Sequence, residues 1–225
     1  MKLKLIIFAL FLILGTMGFS AQRDAQAGST AYWKTGVNTV LQNPELPTGC
    51  EATSLTMVLN SLGYKVNKID IAEKYLPRGS VNYDPYNVFC GNPRSKNAYG
   101  CFAPVIVKAA NKCLESQNSN YRAVDISGSS PETLYGYIKE GVPVLVWVTI
   151  NMANTYISDR WIAEDTGREI QWPANEHCVV LMGYDSSRKT VVLNDPLKGE
   201  VRYNTRLFES RYNSMNKNAV VIVKV

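Results

Sequence analysis

A cysteine at the mouth of a helix and the chain's single histidine are the two residues here that could do covalent chemistry together. Cys50 stands in Leu46-Pro-Thr-Gly-Cys-Glu-Ala, ahead of Ala52, Leu55, Val58, Leu59 and Leu62, whose three- and four-residue spacing predicts a helix with one apolar stripe, ended by Gly63. Thr48 and Glu51 have the spacing of a capping box, with Thr48 as N-cap and Cys50 in the first turn. Unpaired amides at that end favour a thiolate, which is the reactive form of cysteine. A thiol nucleophile needs a base at neutral pH, and imidazole suits the role. His177 opens an apolar run that turns through Asp-Ser-Ser-Arg-Lys into Thr190–Asn194, a hairpin signal. If Tyr184 pairs with Thr190, Val179 faces Asp195, and Asp195 becomes the diagonal neighbour of His177, placed to orient the imidazole. Gln42, shortly before Cys50, supplies an amide for an oxyanion.

Each of these residues also has an ordinary reading. Exported cysteines are mostly disulfide partners, lone histidines are mostly structural, and Asp195-Pro196 by itself is a turn. Their placement on regular elements is what favours chemistry. The elements read in order as a short strand at 37–42, the Cys50 helix, a second helix at 67–76, a long polar segment at 77–99, a helix at 104–117, a strand at 121–126 and a helix capped by Ser130 with Pro131 at its first position. The β-branched run at 142–150 predicts a central strand. A long connection at 151–176 carries Trp161 and Trp172, read as loop anchors. After the His177 hairpin come a strand at 200–203, a helix at 205–212 and a strand at 219–225. Helices first and antiparallel strands later predict an α+β domain with the thiol helix against a twisted sheet.

Gln42, Leu-Pro-Thr-Gly-Cys50-Glu-Ala, Glu-His177-Cys-Val-Val-Leu and Leu-Asn-Asp195-Pro together resemble the papain-like cysteine peptidases, and within them the bacteriocin-processing peptidases of cysteine-peptidase family thirty-nine. The likeness spans roughly residues 37 to 225 in element order. It implies a papain-like fold, Cys50 as nucleophile, His177 as general base and acid, Asp195 as orienter and Gln42 at the oxyanion hole. Leader-processing members are fused to an exporter, whereas this chain shows no transporter helices and carries an export signal, so double-glycine leader cleavage is not the expected activity.

That signal is Met-Lys-Leu-Lys followed by an apolar run from Leu5 to Phe19, with Ala25-Gln26-Ala27 as a small-residue cleavage site and Ala21 as an earlier one. Residues 1–27 are read as a signal peptide, with an uncleaved N-terminal anchor as the alternative, and 28–225 as one peptidase domain. The protein is therefore expected outside the cytoplasm, secreted or held at the surface. The 225 residues carry a net charge of +5, which falls to +3 once Lys2, Lys4, Arg23 and Asp24 are removed, too mild and too dispersed for nucleic acid. One histidine without closely spaced cysteines argues against zinc, and no phosphate loop appears, so no cofactor is expected. Five cysteines is an odd number: Cys90–Cys101 closing the polar loop is the economical disulfide, Cys113–Cys178 a weaker candidate, and Cys50 the free thiol. The expected function is thiol hydrolysis of peptide or isopeptide bonds in a peptide, protein or cell-wall substrate. A cell-wall amidase or acyl transferase with the same residues, and a silent binding module of the same fold, are the alternatives.

Overall fold

The computed structural model describes residues 32–225, so the export segment expected at 1–27 lies outside them. In chain order the elements are β1 (Tyr32–Lys34), α1 (Cys50–Ser61), α2 (Lys68–Asp70) with a π-helical turn at Ile71–Tyr75, β2 (Arg78–Gly79), β3 (Phe89–Cys90), α3 (Ala103–Glu115), β4 (Tyr121–Asp125), α4 (Pro131–Lys139) and β5 (Val144–Thr149). There follow β6 (Ile157–Ile162), β7 (Glu169–Pro173), β8 (Glu176–Asp185), β9 (Thr190–Asp195), β10 (Gly199–Asn204), α5 (Thr205–Ser214) and β11 (Ala219–Lys224).

The sheet runs β10-β9-β8-β5-β11-β4, antiparallel throughout, with β1 beside the far half of β8. Residues of β8 and β5 alternate between two apolar cores. Cys178, Val180, Leu145 and Trp147 face α1 and α3, while Val179, Leu181, Val144 and Val146 face the layer of α4 and α5. Such burial contributes about 1.5–3 kcal/mol per large aliphatic side chain. The α+β expectation holds, with helices on both sheet faces. No helix of the described residues is long and apolar enough to cross a membrane.

Several local expectations give way to packing. The segment at 37–42 forms no strand: Gln42 N–H bonds Pro196 O at 2.8 Å, and the Asn194 amide bonds Val37 O at 3.0 Å, so side chain and turn replace a ladder. Thr48 is not the N-cap. Its hydroxyl bonds the carbonyls of Pro93 and Ser95, Gly49 precedes the helix, and Glu51 turns inward. α1 is buried on every side from Cys50 to Leu59, its hydroxyls satisfied by carbonyls. The connection at 151–176 contains the hairpin β6–β7, absent from the sequence reading because its strands are short and β6 is exposed along nearly its whole length, which leaves no alternation to read.

The register of β8 and β9 also differs at its tip, where Asp185 rather than Tyr184 faces Thr190. A bulge at Met182 resets it, so that Leu181 faces Leu193 and Val180 faces Asn194, the pairing expected beside His177. Gly183 is needed at this bulge, since a Cβ there would stand 2.9 Å from Val192 Cβ and 3.1 Å from Trp33 O.

Candidate active site

β5 pairs with β8 from Glu176 to Leu181, but β9 reaches β8 only from Val180 onward. The opposite edge of β8 at 176–179 is thus free of a strand, and the start of α1 fills the gap. Cys178 N–H donates to Cys50 Sγ at 3.4 Å, and Ser54 Oγ, one turn later, donates to Cys178 O at 3.0 Å. One residue of β8, Cys178, is therefore clasped by two residues of α1, which sets Cys50 next to the His177–Cys178 backbone. His177 and Asp195, both buried, meet at 2.8 Å through Nε2 and Oδ1, as the hairpin geometry predicts. Leu197 N–H holds the same carboxylate oxygen at 2.7 Å. Burial pushes the Asp195 carboxyl upward, but the His177 contact, the Leu197 amide and the Lys198 charge outweigh it and leave it below its ordinary value.

Gln42 is buried just upstream. Its Nε2 donates one proton to Pro47 O at 2.9 Å, which fixes the amide and leaves its second N–H uncommitted. The thiol itself is not in the state that its helix position suggests. Cys50 Sγ donates to Glu51 Oε2 at 3.3 Å, and among the described residues no hydrogen bond joins it to His177. Burial, then the Glu51 and Glu176 carboxylates, push the thiol well above its ordinary value, outweighing the Cys178 N–H that favours the thiolate. The Glu51 contact and the direction of that shift both favour the thiol over the thiolate.

The Peptidase C39-like family matches residues 34–220, a stretch that includes Gln42, Cys50, His177 and Asp195. The chain belongs to the Peptidase C39-like family. It is 32% identical over 187 residues to the uncharacterized protein YvpB of Bacillus subtilis (strain 168), covering 80% of this chain and 71% of that one. It is also similar to a crystal structure described as a C39-like peptidase from Bacillus anthracis, with TM-score 0.72, 31% identity, and 87% and 98% of the two chains covered. A more distant likeness, at 18% identity and TM-score 0.47 over 85% and 92% of the chains, is to a double glycine motif protease from an AMS/PCAT transporter in complex with its leader peptide. The fold is that of the papain-like C39 peptidases, and the protein is a cysteine peptidase-like hydrolase.

In this C39-like peptidase the other cysteines are free thiols. The expected Cys90–Cys101 bridge is absent because Cys90 pairs across to Tyr99 and Gly100 and turns its thiol to Tyr83 O at 3.2 Å, while Cys101 sits a residue beyond, its N–H on Glu51 and its carbonyl on Trp147 Nε1. Cys113, which takes a bond from Gln117 at 3.4 Å, is not joined to Cys178. Trp161 and Trp172 anchor loops as expected: Trp161 donates to Tyr83 O and stacks on Tyr99, and Trp172 packs against Phe102.

Two residues beside the thiol escaped the sequence reading. Glu51 and Glu176 are buried, and one oxygen of each lies with Cys50 Sγ in a cluster whose members are all within 4.8 Å of one another. This is the one group of three potential metal-ligating side chains among the described residues. The signal for them was adjacency, since one acid follows Cys50 and the other precedes His177; Glu51 was assigned to a cap because its spacing fits both roles.

Proposed function

We propose that this protein is an extracytoplasmic cysteine peptidase that cleaves peptide or isopeptide bonds through an acyl-enzyme on Cys50. The observation that carries this reading is the buried His177–Asp195 pair, one residue from the peptide that bonds Cys50 Sγ. With Nε2 on Asp195, Nδ1 is the imidazole nitrogen left to take the thiol proton. Cys50 turns from Glu51 toward it, the thiolate attacks the scissile carbonyl, and the oxyanion is met by the Cys50 N–H and the second N–H of Gln42. The imidazolium returns its proton to the leaving amine, and water, deprotonated by His177, then releases the acyl group from sulfur. Asp195 holds the ring and stabilises its cation throughout. The export signal read at residues 1–27 supports an extracytoplasmic setting, in which wall or secreted peptides are the available amides.

The test is the pH profile of Cys50 alkylation by iodoacetamide in wild type and His177→Ala, with folding checked by circular dichroism. Reactivity should persist below the free thiol pKa of about 8.5 in wild type and vanish there in the variant. Superimposable profiles would remove His177 from the chemistry. A silent binding module of the same fold is the second reading, favoured by the missing Cys50–His177 bond; it predicts no alkylation of Cys50 at neutral pH.

A further inference from the structure

Neither acid beside the thiol has a part in the acyl transfer just described, yet both are built into its surroundings. Glu51 is fully buried and Glu176 is 8% exposed. Gly100 makes room for both: a Cβ there would stand 2.6 Å from Glu51 Oε1 and 3.3 Å from Glu176 Oε2, at a φ of +146°. Glu51 uses each oxygen, Oε1 accepting Cys101 N–H at 2.6 Å and Oε2 accepting the Cys50 thiol at 3.3 Å. Glu176 Oε1 is buried without a partner, and no ion pair reaches either carboxyl among the described residues. Two carboxyls this close and this dry cannot both ionise freely. A proton on Glu176, whose Oε1 has no partner, leaves a single charge on Glu51, the carboxyl that already accepts two hydrogens.

We propose that Glu51 and Glu176 form a carboxyl pair that, with one proton on Glu176, holds the Cys50 thiol protonated against Glu51, and that uptake of a second proton by the pair releases the thiol to His177. This rests on the Cys50–His177 reading above. With one proton on the pair, Glu51 Oε2 accepts the S–H and its negative charge opposes a thiolate. With two, that acceptor is occupied by hydrogen and the charge is gone. Cys50 then turns, and its proton moves from Sγ to His177 Nδ1 to leave thiolate and imidazolium, a transfer with no net change in protons. The other titratable groups facing the pair are Cys101 ahead of α3, Cys178 on β8 and, farther off, Cys90, none of them cationic. Burial pushes Glu51 up to about 7, and burial with the Glu51 charge pushes Glu176 up as well, so the second proton is lost as pH rises through about 7.

The experiment measures the iodoacetamide rate at Cys50, located by peptide mapping, between about pH 5 and about pH 9. An ordinary thiol gains roughly tenfold per pH unit below its pKa. Wild type should do the reverse, peaking below neutrality and losing about tenfold as pH passes through about 7 to about 8. Glu51→Gln keeps the shape without the charge and should abolish that loss. A wild-type rate that climbs steadily with pH overturns the proposal even if Glu51→Gln does not fold, and so does a Glu51→Gln profile that superimposes on wild type. A wild-type profile converted by EDTA to the Glu51→Gln form overturns it in favour of a bound cation. His177→Ala separates the two readings: if it matches wild type at every pH, the peptidase assignment fails, whereas a failure confined to Glu51→Gln leaves that assignment standing.

Discussion

At the scale of single residues, Asp195 is the acid that the proposed reaction needs ionised, and its surroundings favour that state. Its carboxyl is held below the ordinary carboxylate value, so the stability it contributes is complete above that ordinary value and is lost only as pH falls through the lower, folded one. The His177–Asp195 pair therefore survives mild acid, where the Glu51–Glu176 pair takes up its proton. Asp195→Asn should retain the Leu197 bond through Oδ1 but lose the stabilisation of the imidazolium. We expect turnover of a peptide substrate to fall by roughly a hundredfold or more, while Cys50 alkylation changes much less. Equal losses in both would mean that Asp195 serves the fold instead of the imidazole.

Among the elements, the joint between α1 and β8 decides whether thiol and imidazole share a site. It consists of apolar packing plus the clasp on Cys178, and Ser54 is the half of that clasp with no chemistry of its own. Ser54→Ala would leave Cys178 O buried without its donor, at a penalty of about 1–3 kcal/mol. Thermal unfolding should shift down accordingly, by several degrees for a domain of this size. Ser54→Thr, which keeps the hydroxyl, should recover part of the loss. An unchanged melting temperature in Ser54→Ala would show that packing alone seats the helix.

For the molecule as a whole, the long polar loop and the β6–β7 hairpin are tied to each other and approach the Glu51–Glu176 pair at Gly100 and Trp172. Asp84, buried at the centre of the loop, accepts Tyr86 N–H at 2.9 Å, Thr166 Oγ1 at 3.1 Å and an ion pair from Arg168 at 3.0 Å, while Asp165 from the hairpin turn returns bonds to Asp84 N–H and Asn87. The Tyr99–Trp161–Trp172 group packs beneath them. Asp84→Ala removes the shared acceptor and should free the loop before the core melts. Limited proteolysis should then cut within 77–102 at a protease level that leaves wild type intact; equal resistance would mean the aromatic group suffices.

What the sequence by itself determined was the set of parts: a cysteine opening a helix, the one histidine heading an apolar strand, Asp195 across a hairpin from it, and the order of the main helices and sheet strands from Cys50 onward, the β6–β7 hairpin excepted. These are legible because periodicity, caps and turn residues act within a few positions of each other. Only tertiary structure decided what those parts experience. Glu51 has the spacing of a cap, yet Gly100 and the Cys101 amide draw it inward beside Glu176, all of them distant along the chain. The helix end favours a thiolate, yet burial and two acids push the Cys50 thiol the other way. Cys90 and Cys101 close a loop on paper, yet strand pairing turns one thiol to Tyr83 and sets the other beside Glu51. In each case the deciding quantity is desolvation or a partner supplied from a distant segment, which spacing along the chain does not encode.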